Sequence, residues 1–283
     1  MITIASKRKI RWKRVWRALY SPEAIRYAFV SVRALHVVVF LAFVTAAFVG
    51  FDFGSVMPFA AICVVVSVLS QIFVVNVIGH RFIGHANFRP ARFSQIFFLA
   101  WTVIVGLSSP LSSGLIHRRH HRNSDTDLDP HSPKRANLRE KLGFFALVYL
   151  NSFNEKNFST LEIMRESRRP YFIFFHRNGA HLSLLVSVFL FATLGLKGIF
   201  FLQTIPVFVC FIGQFNLVYQ THVPLEADTS KNHSIDSVRA NILTLGEGAH
   251  NAHHRNPRQI FYPNERPMMF DLTGFIIKSM WMR

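Results

Sequence analysis

The sequence predicts an all-α integral membrane protein: four transmembrane helices in two hairpins, one interfacial helix and a histidine-rich cytosolic cap. Three observations predict it. Long apolar runs punctuate a 283-residue chain that is 51% hydrophobic and holds 30 Phe. Basic residues concentrate beside those runs instead of covering one soluble face. Eight of the 14 histidines fall in three short boxes which, with the isolated His222, adjoin the ends of apolar runs. A chain of this length suffices for one helical membrane domain and is short for two. Residues 34–283 are therefore expected to form a single domain behind a basic, interfacial segment, 1–33.

That first segment interleaves Lys7, Arg8, Lys9, Arg11, Lys13, Arg14 and Arg17 with Trp12, Trp16 and Tyr20, as in a helix lying on an anionic leaflet. No short apolar core with a small-residue cleavage site opens the chain, so no removable signal peptide is expected. Four runs then have the length of membrane spans, for which about 20 apolar residues are needed: 34–51, 57–79, 179–196 and 198–219. Their short connections, 52–56 and the turn around Lys197, carry almost no positive charge and are assigned outside. Arg118, Arg119, Lys134, Arg135, Arg168 and Arg169 lie between the second and third spans, so by the positive-inside rule that segment and both termini are cytoplasmic. The membrane is the plasma or inner membrane in a bacterium and the endoplasmic reticulum in a eukaryote.

A fifth apolar stretch, 96–107, offers only about a dozen residues before Ser108-Ser109-Pro110, the length of an interfacial or re-entrant segment. Were it to cross, the first two histidine boxes would fall on opposite sides of the membrane. The runs 143–150 and 171–175 are also too short to span and are expected to pack against the membrane face or the cap. The net charge of +17 sits beside spans without base-stacking motifs, so no nucleic-acid partner is expected. Cys63 and Cys210, the only cysteines, lie inside apolar runs, where neither a disulfide framework nor a thiolate cage is expected.

The boxes are His80/His85, His117/His120/His121 and His250/His253/His254. In an α-helix positions i, i+3 and i+4 share one face, so the second and third boxes each present three imidazoles to one point. His85 would lie well round the helix from His80, so the helix is expected to end near His80, with Gly84 helping the chain turn. Nine imidazoles exceed what one ion needs, and two ions with four or five nitrogens each fit better. Imidazole suits Zn, Cu, Fe and Ni alike, so spacing leaves the element open. HExxH is absent, and the single Glu-x-x-His, Glu247 to His250, falls short of the paired motifs of soluble di-iron bundles. Histidine ligands usually donate their second N–H to a carboxylate, and Asp125, Asp127, Asp129 and Glu247 lie close enough in sequence to accept. His36, His176, His181 and His233 are expected to serve packing or hydrogen bonding.

From about residue 35 to 265 the chain resembles the membrane fatty-acid desaturases, most of all the Δ9 acyl-CoA (stearoyl-CoA) type. The strings that carry the resemblance are His80-Arg81 through His85, His117-Arg118-Arg119-His120-His121, Asp127-Leu128-Asp129-Pro130-His131, Gly143-Phe144-Phe145 and Gly246-Glu247-Gly248-Ala249-His250-Asn251-Ala252-His253-His254. The resemblance implies two irons held by the eight box histidines and His222, with O2 as co-substrate. It implies insertion of a cis double bond, of Δ9 position, into a saturated acyl chain. Asn251 and Asn216 join Asp125, Asp129 and Glu247 as residues expected beside the ligands. Ser113 and Ile116 stand where acyl-CoA desaturases carry a Trp and an Asp, so the carrier stays open among acyl-CoA, acyl-ACP and acyl-lipid. Val218 replaces the Asn found four residues before the ninth histidine, with Asn216 and Gln220 nearby. No cytochrome b5 module is fused, so a separate donor of ferredoxin or cytochrome b5 type is implied.

Removing hydrogen from an unactivated methylene needs an oxidant that side chains lack. A lipid or carotenoid hydroxylase or ketolase is the alternative within the same chemistry, because ligand spacing does not separate these outcomes. A membrane metal transporter is a remote alternative, since transporters place polar ligands near mid-membrane at broken helices, whereas these histidines adjoin span ends.

Overall fold

A computed structural model describes residues 22–48, 54–107, 110–126, 129, 169–222, 233–262 and 269–281. The basic residues before position 22, the runs 49–53 and 143–150, and Asp127, Lys134, Arg135 and Arg168 lie outside them. The described chain is helical and without strands; a single antiparallel bridge pairs His222 with Ser234. In order come α1 (Pro22–Phe48), a short 3-10 turn (Gly54–Val56), α2 (Met57–Leu69), a π-helical segment (Ser70–Gly84), α3 (Arg92–Ile104) and α4 (Pro110–Asn123). Then follow α5 (Pro170–Ile199), a π-helical turn (Phe200–Thr204), α6 (Ile205–Thr221), α7 (Val238–Thr244), α8 (His250–Arg255) and α9 (Leu272–Trp281).

Three helical stretches are long and apolar enough to cross a membrane: Ser31–Phe48, Gly54–Gly84 and Pro170–Thr221. The middle stretch buries half of its most apolar window, against 22% for the first and 28% for the third, so it forms the centre of the bundle. Its outward neighbours leave Val38, Leu41, Leu185, Val188 and Phe189 more than half exposed. A continuous apolar surface of that kind marks contact with lipid or another apolar partner. The core around the central helix joins Val77, Ile78, Phe82 and Ile83 to Phe98 and Leu99 of α3, Phe172 of α5 and Ile277 of α9. A second cluster packs Val39 and Phe43 against Leu190, Ile199 and Phe200, with the Phe43 and Phe200 rings stacked 3.7 Å apart.

The 52-residue third stretch is not one rod. Gly195 adopts φ 64°, ψ −159°, a conformation that glycine reaches without steric cost. Across it Ser187 Oγ donates to Gln203 Oε1 at 2.6 Å, whereas sixteen residues of straight helix would separate them by about 24 Å. The chain therefore doubles back at Gly195, two residues before the expected turn at Lys197.

Three elements depart from the sequence expectation. Residues 171–175 are the opening of α5: Pro170 supplies a fixed φ at the helix start, and the polar tetrad His176-Arg177-Asn178-Gly179 continues the helix rather than ending it. The second helix does not stop at His80 but proceeds to Gly84 in the π-helical register. The fifth apolar stretch forms α3, which begins at Arg92 rather than 96. Its buried residues Gln95, Phe98, Leu99, Thr102 and Val103 form one helical stripe, and its 13 residues keep it below spanning length.

Candidate metal centre

The central helix delivers the first two histidines by an unusual route. In an i→i+5 ladder the fifth residue sits one turn above the first, and the His85 amide donates to the His80 carbonyl at 3.1 Å. The two rings therefore share one face, edge to face with centroids 5.0 Å apart. The left-handed residue that redirects the chain is Ala86, φ 56°, not Gly84. Gly84 instead allows close approach: a Cβ there would lie 3.1 Å from the His117 ring. Arg118 caps this helix end, donating to the carbonyls of Ile83 (2.6 Å) and Gly84 (2.7 Å), so a basic residue satisfies carbonyls left without helical partners.

α4 and α8 place their HxxHH boxes as the 3.6-residue period requires, and His222 ends α6. All nine histidines converge in two groups: His80, His85, His117, His121 and His253, and His120, His222, His250 and His254. Their Nε2 atoms face inward. Separations are 2.7 Å for His85–His117, 3.0 Å for His80–His253, 2.8 Å for His121–His253, 2.9 Å for His222–His250 and 3.3 Å for His120–His254. Neighbouring ligands on one ion stand about 3 Å apart when each bond is about 2.1 Å.

Four of the outward Nδ1 atoms are anchored. His80 donates to Glu247 at 2.9 Å, His120 to Asp129 at 2.9 Å and His222 to Asp125 at 3.2 Å. His253 Nδ1 meets the Tyr262 hydroxyl at 2.8 Å, whose own proton points to the Asn256 carbonyl. These contacts fix the neutral rings in the tautomer that leaves Nε2 bare. His80 and His253 then bring two lone pairs within 3.0 Å, a repulsive contact that a cation between them relieves. The donor set fits a metal of the imidazole-binding kind.

Electrostatics agree. Burial opposes ionisation of Glu247, but Arg81 and His80 outweigh it and hold the carboxyl at about 2. Burial is likewise outweighed at Asp125, where His222 and the His233 amide hold the carboxyl below its usual range. Burial first, and neighbouring rings second, push His85, His117, His250 and His253 well below the ordinary histidine value. The site thus favours uncharged imidazoles beside charged carboxylates.

Asn251 follows the ligand His250 in sequence, but its backbone N–H donates to Asp236 at 2.8 Å and its side chain makes no hydrogen bond to a histidine. Asn216 donates to the Ile212 carbonyl and accepts from Gln220; it makes no hydrogen bond to a histidine. His36 bonds Thr204 in the bundle interior. Sequence reasoning missed Arg81 and Tyr262. Fully buried Arg81 grips Glu247, the Ile260 carbonyl (2.9 Å) and Asp271 (3.3 Å), with its guanidinium 4.5 Å from the Tyr262 ring. Asp271 also accepts from the Tyr262 and Gly274 amides. The signal for Arg81 was an arginine inside an apolar run; Tyr262 carried none. Gly246, with φ 117°, and Gly248, whose Cβ would stand 2.4 Å from the Ser237 carbonyl, let the chain bring Glu247 into this pocket.

A helical membrane-type bundle that closes two cages of neutral imidazole at one end defines a histidine-ligated metalloprotein class. Residues 55–263 match the family described as "Fatty acid desaturase", and the chain belongs to that family. It is similar to Delta(9)-fatty-acid desaturase fat-7 of Caenorhabditis elegans, 22% identical over 213 residues covering 71% of this chain and 62% of that protein. Delta-9 acyl-lipid desaturase 1 of Arabidopsis thaliana is 25% identical over 254 residues, 88% of this chain and 76% of that protein. A probable acyl-CoA desaturase of Schizosaccharomyces pombe is 24% identical over 200 residues, 63% of this chain and 38% of that protein. The chain thus spans less than two thirds of the worm and yeast proteins.

Proposed function

We propose that the chain is an O2-dependent fatty-acyl desaturase that introduces a cis double bond, at Δ9, into a saturated acyl chain at a di-iron centre. The paired Nε2 cages, each backed by outward Nδ1 anchors, carry this reading. His80, His85, His117, His121 and His253 would hold one iron, and His120, His222, His250 and His254 the other. Bound there, the irons supply the activation of dioxygen that no side chain provides. The protein's own residues aim the rings: Glu247, Asp129 and Asp125 accept the Nδ1 protons of His80, His120 and His222, and Tyr262 orients His253. Asp125, Asp129, Glu247, Asn251 and Asn216 are proposed as the surrounding shell, the first three through direct contact with ligand histidines.

In this reading the chain crosses the membrane four times, the third stretch forming a hairpin about Gly195, with the histidines and both termini cytoplasmic. The two relatives named as Δ9 desaturases support the position of the bond, and the relatives named for acyl-lipid and acyl-CoA substrates leave the carrier between those types. Electrons come from a separate ferredoxin or cytochrome b5 type protein. The test is expression of the full chain in a host lacking its own desaturase, with a competent donor, and gas chromatography of membrane fatty acids. A new Δ9 monounsaturated species that disappears with His120→Ala, while the variant still inserts, supports the reading; an unchanged profile overturns it, and a hydroxylated product shifts it to the hydroxylase chemistry.

A further inference from the structure

Away from the histidines, α3 and α5 run side by side in the same direction. Tyr171 Oη donates to Gln95 Oε1 at 2.6 Å, and Val103 lies 3.8 Å from where a Cβ on Gly179 would stand, an advance of eight residues along each helix. At their starting end, the end that carries His85, they enclose a cavity of about 680 Å³ lined by Arg89, Arg92, Gln95, Arg169 and Tyr171. Further along the same helix pair an apolar groove of about 380 Å³ opens outward between Ala100, Val103 and Ile104 on one side and Phe175, Leu185 and Phe189 on the other.

The cavity is built for an anion. Gln95 is buried and held by its own amide, which donates to the Pro90 carbonyl at 2.7 Å. Its Oε1 accepts from one Arg169 nitrogen at 3.2 Å, and that same nitrogen lies 2.8 Å from Tyr171 Oη. The guanidinium is thereby fixed with its remaining N–H groups directed elsewhere. Arg92 stacks over the other part of the ring, 5.6 Å from its centroid, and is exposed. The two guanidiniums flank one tyrosine at the amino ends of α3 and α5, where backbone N–H groups and the helix dipole favour negative charge. Planar guanidinium forks match phosphate oxygens.

We propose that this cavity and groove together bind an anionic phospholipid, with the phosphate between Arg92 and Arg169 and one acyl chain along the groove. Two features select a membrane lipid over a free phosphate. The apolar groove lies farther along the same helix pair that carries the charged cavity, and the 13 residues of α3 give about 20 Å of helix, enough to follow an acyl chain through one leaflet of a core about 30 Å thick. Phe93, 79% exposed beside Arg92, and Leu185, 64% exposed in the groove, add apolar surface for which lipid is the matching neighbour. A zwitterionic choline headgroup would bring its cation against the arginines, so anionic lipid is preferred.

The test titrates the purified full chain in detergent with dioleoyl phosphatidylglycerol, dioleoyl phosphatidylcholine and glycerol 3-phosphate, read by native mass spectrometry. Phosphatidylglycerol should bind at least about tenfold tighter than phosphatidylcholine, the factor one charge-assisted hydrogen bond supplies, and far tighter than glycerol 3-phosphate. Arg92→Gln with Arg169→Gln should erase that preference. Leu185→Trp, which fills the groove, should weaken both lipids while leaving their ratio unchanged. Should the double variant fail to fold, Arg92→Gln alone reads the same contact at an exposed position. Equal binding of the two lipids by the wild-type chain, or glycerol 3-phosphate binding as tightly as phosphatidylglycerol, overturns the proposal.

Discussion

At the scale of the residue, the site depends on which nitrogen of each ring carries the proton. Glu247 is the most connected determinant: it takes the Nδ1 proton of His80 and the guanidinium of Arg81, which also grips Asp271 and the Ile260 carbonyl. Glu247→Gln keeps the shape but replaces an ionised acceptor with an amide. Iron affinity should fall by about 10–100-fold, the usual cost of losing an outer partner of a ligand histidine, as read by iron retained against a competing chelator. The histidines set a pH window. His85, His117, His250 and His253 are pushed below the ordinary 6.5, by burial first, so below about 6.5 the unfolded chain takes up protons that the folded site refuses, and stability falls as pH falls. Glu247, lowered from 4.5 to about 2, loses its contribution only as pH drops through that lower range. The Tm of the folded protein, measured at steps from pH 7.5 to 4, should therefore start to fall near 6.5; a Tm that stays flat until below 4.5 would contradict the burial of these imidazoles. The eight box histidines were legible because their spacings are short and local, whereas the isolated His222 was legible only through the family resemblance. Arg81 and Tyr262 were not, since Arg81 meets Glu247 and Asp271 only through the tertiary fold.

Among the elements, the π-helical segment Ser70–Gly84 is the piece that spacing misread. Five residues on an α-helix carry His85 away from His80, which suggested a helix end; five residues in an i→i+5 ladder bring it back to the same face. Polar groups secure this segment inside the bundle. Gln71 donates to Asn76 at 2.8 Å, and Asn76 donates to the Thr244 carbonyl at 2.7 Å, tying the helix to α7 where water is excluded. The α4 box is seated by small residues. A Cβ on Gly114 would fall 2.4 Å from Ile83 Cγ2 and 3.1 Å from its backbone carbon, atoms too close to the main chain to swing aside. Gly114→Leu should therefore lever α4 off the central helix, at a cost of roughly 1–3 kcal/mol or more for overpacking. A lowered Tm in detergent with iron loss is expected; wild-type iron content would contradict the seating role. The long apolar helices were legible from apolar length, and the doubling back near Lys197 from the break between two apolar runs. The start of α5 was hidden because His176, Arg177 and Asn178 look like a loop in sequence, while in the helix the Asn178 amide simply bonds the Phe174 carbonyl one turn back.

For the whole molecule, charge and apolar surface divide the work. The exposed apolar flanks of the long helices match lipid, whereas the net charge of +17 creates a field that attracts acidic partners. With an acidic donor protein, the rate of reduction should fall steeply as salt rises, because screening shortens the reach of that field; stopped-flow rates that do not change with ionic strength would exclude this steering. The helical, apolar character and the family were legible because hydropathy and the histidine boxes are both properties of local sequence. The partition of the ligands into groups of five and four was not, because it depends on how α4, α6 and α8 meet across the end of the central helix. That these histidines build two metal sites is the central claim, and elemental analysis of active, purified protein tests it most directly. The account predicts two iron atoms per chain; a preparation that remains fully active with one iron or with no transition metal would contradict it.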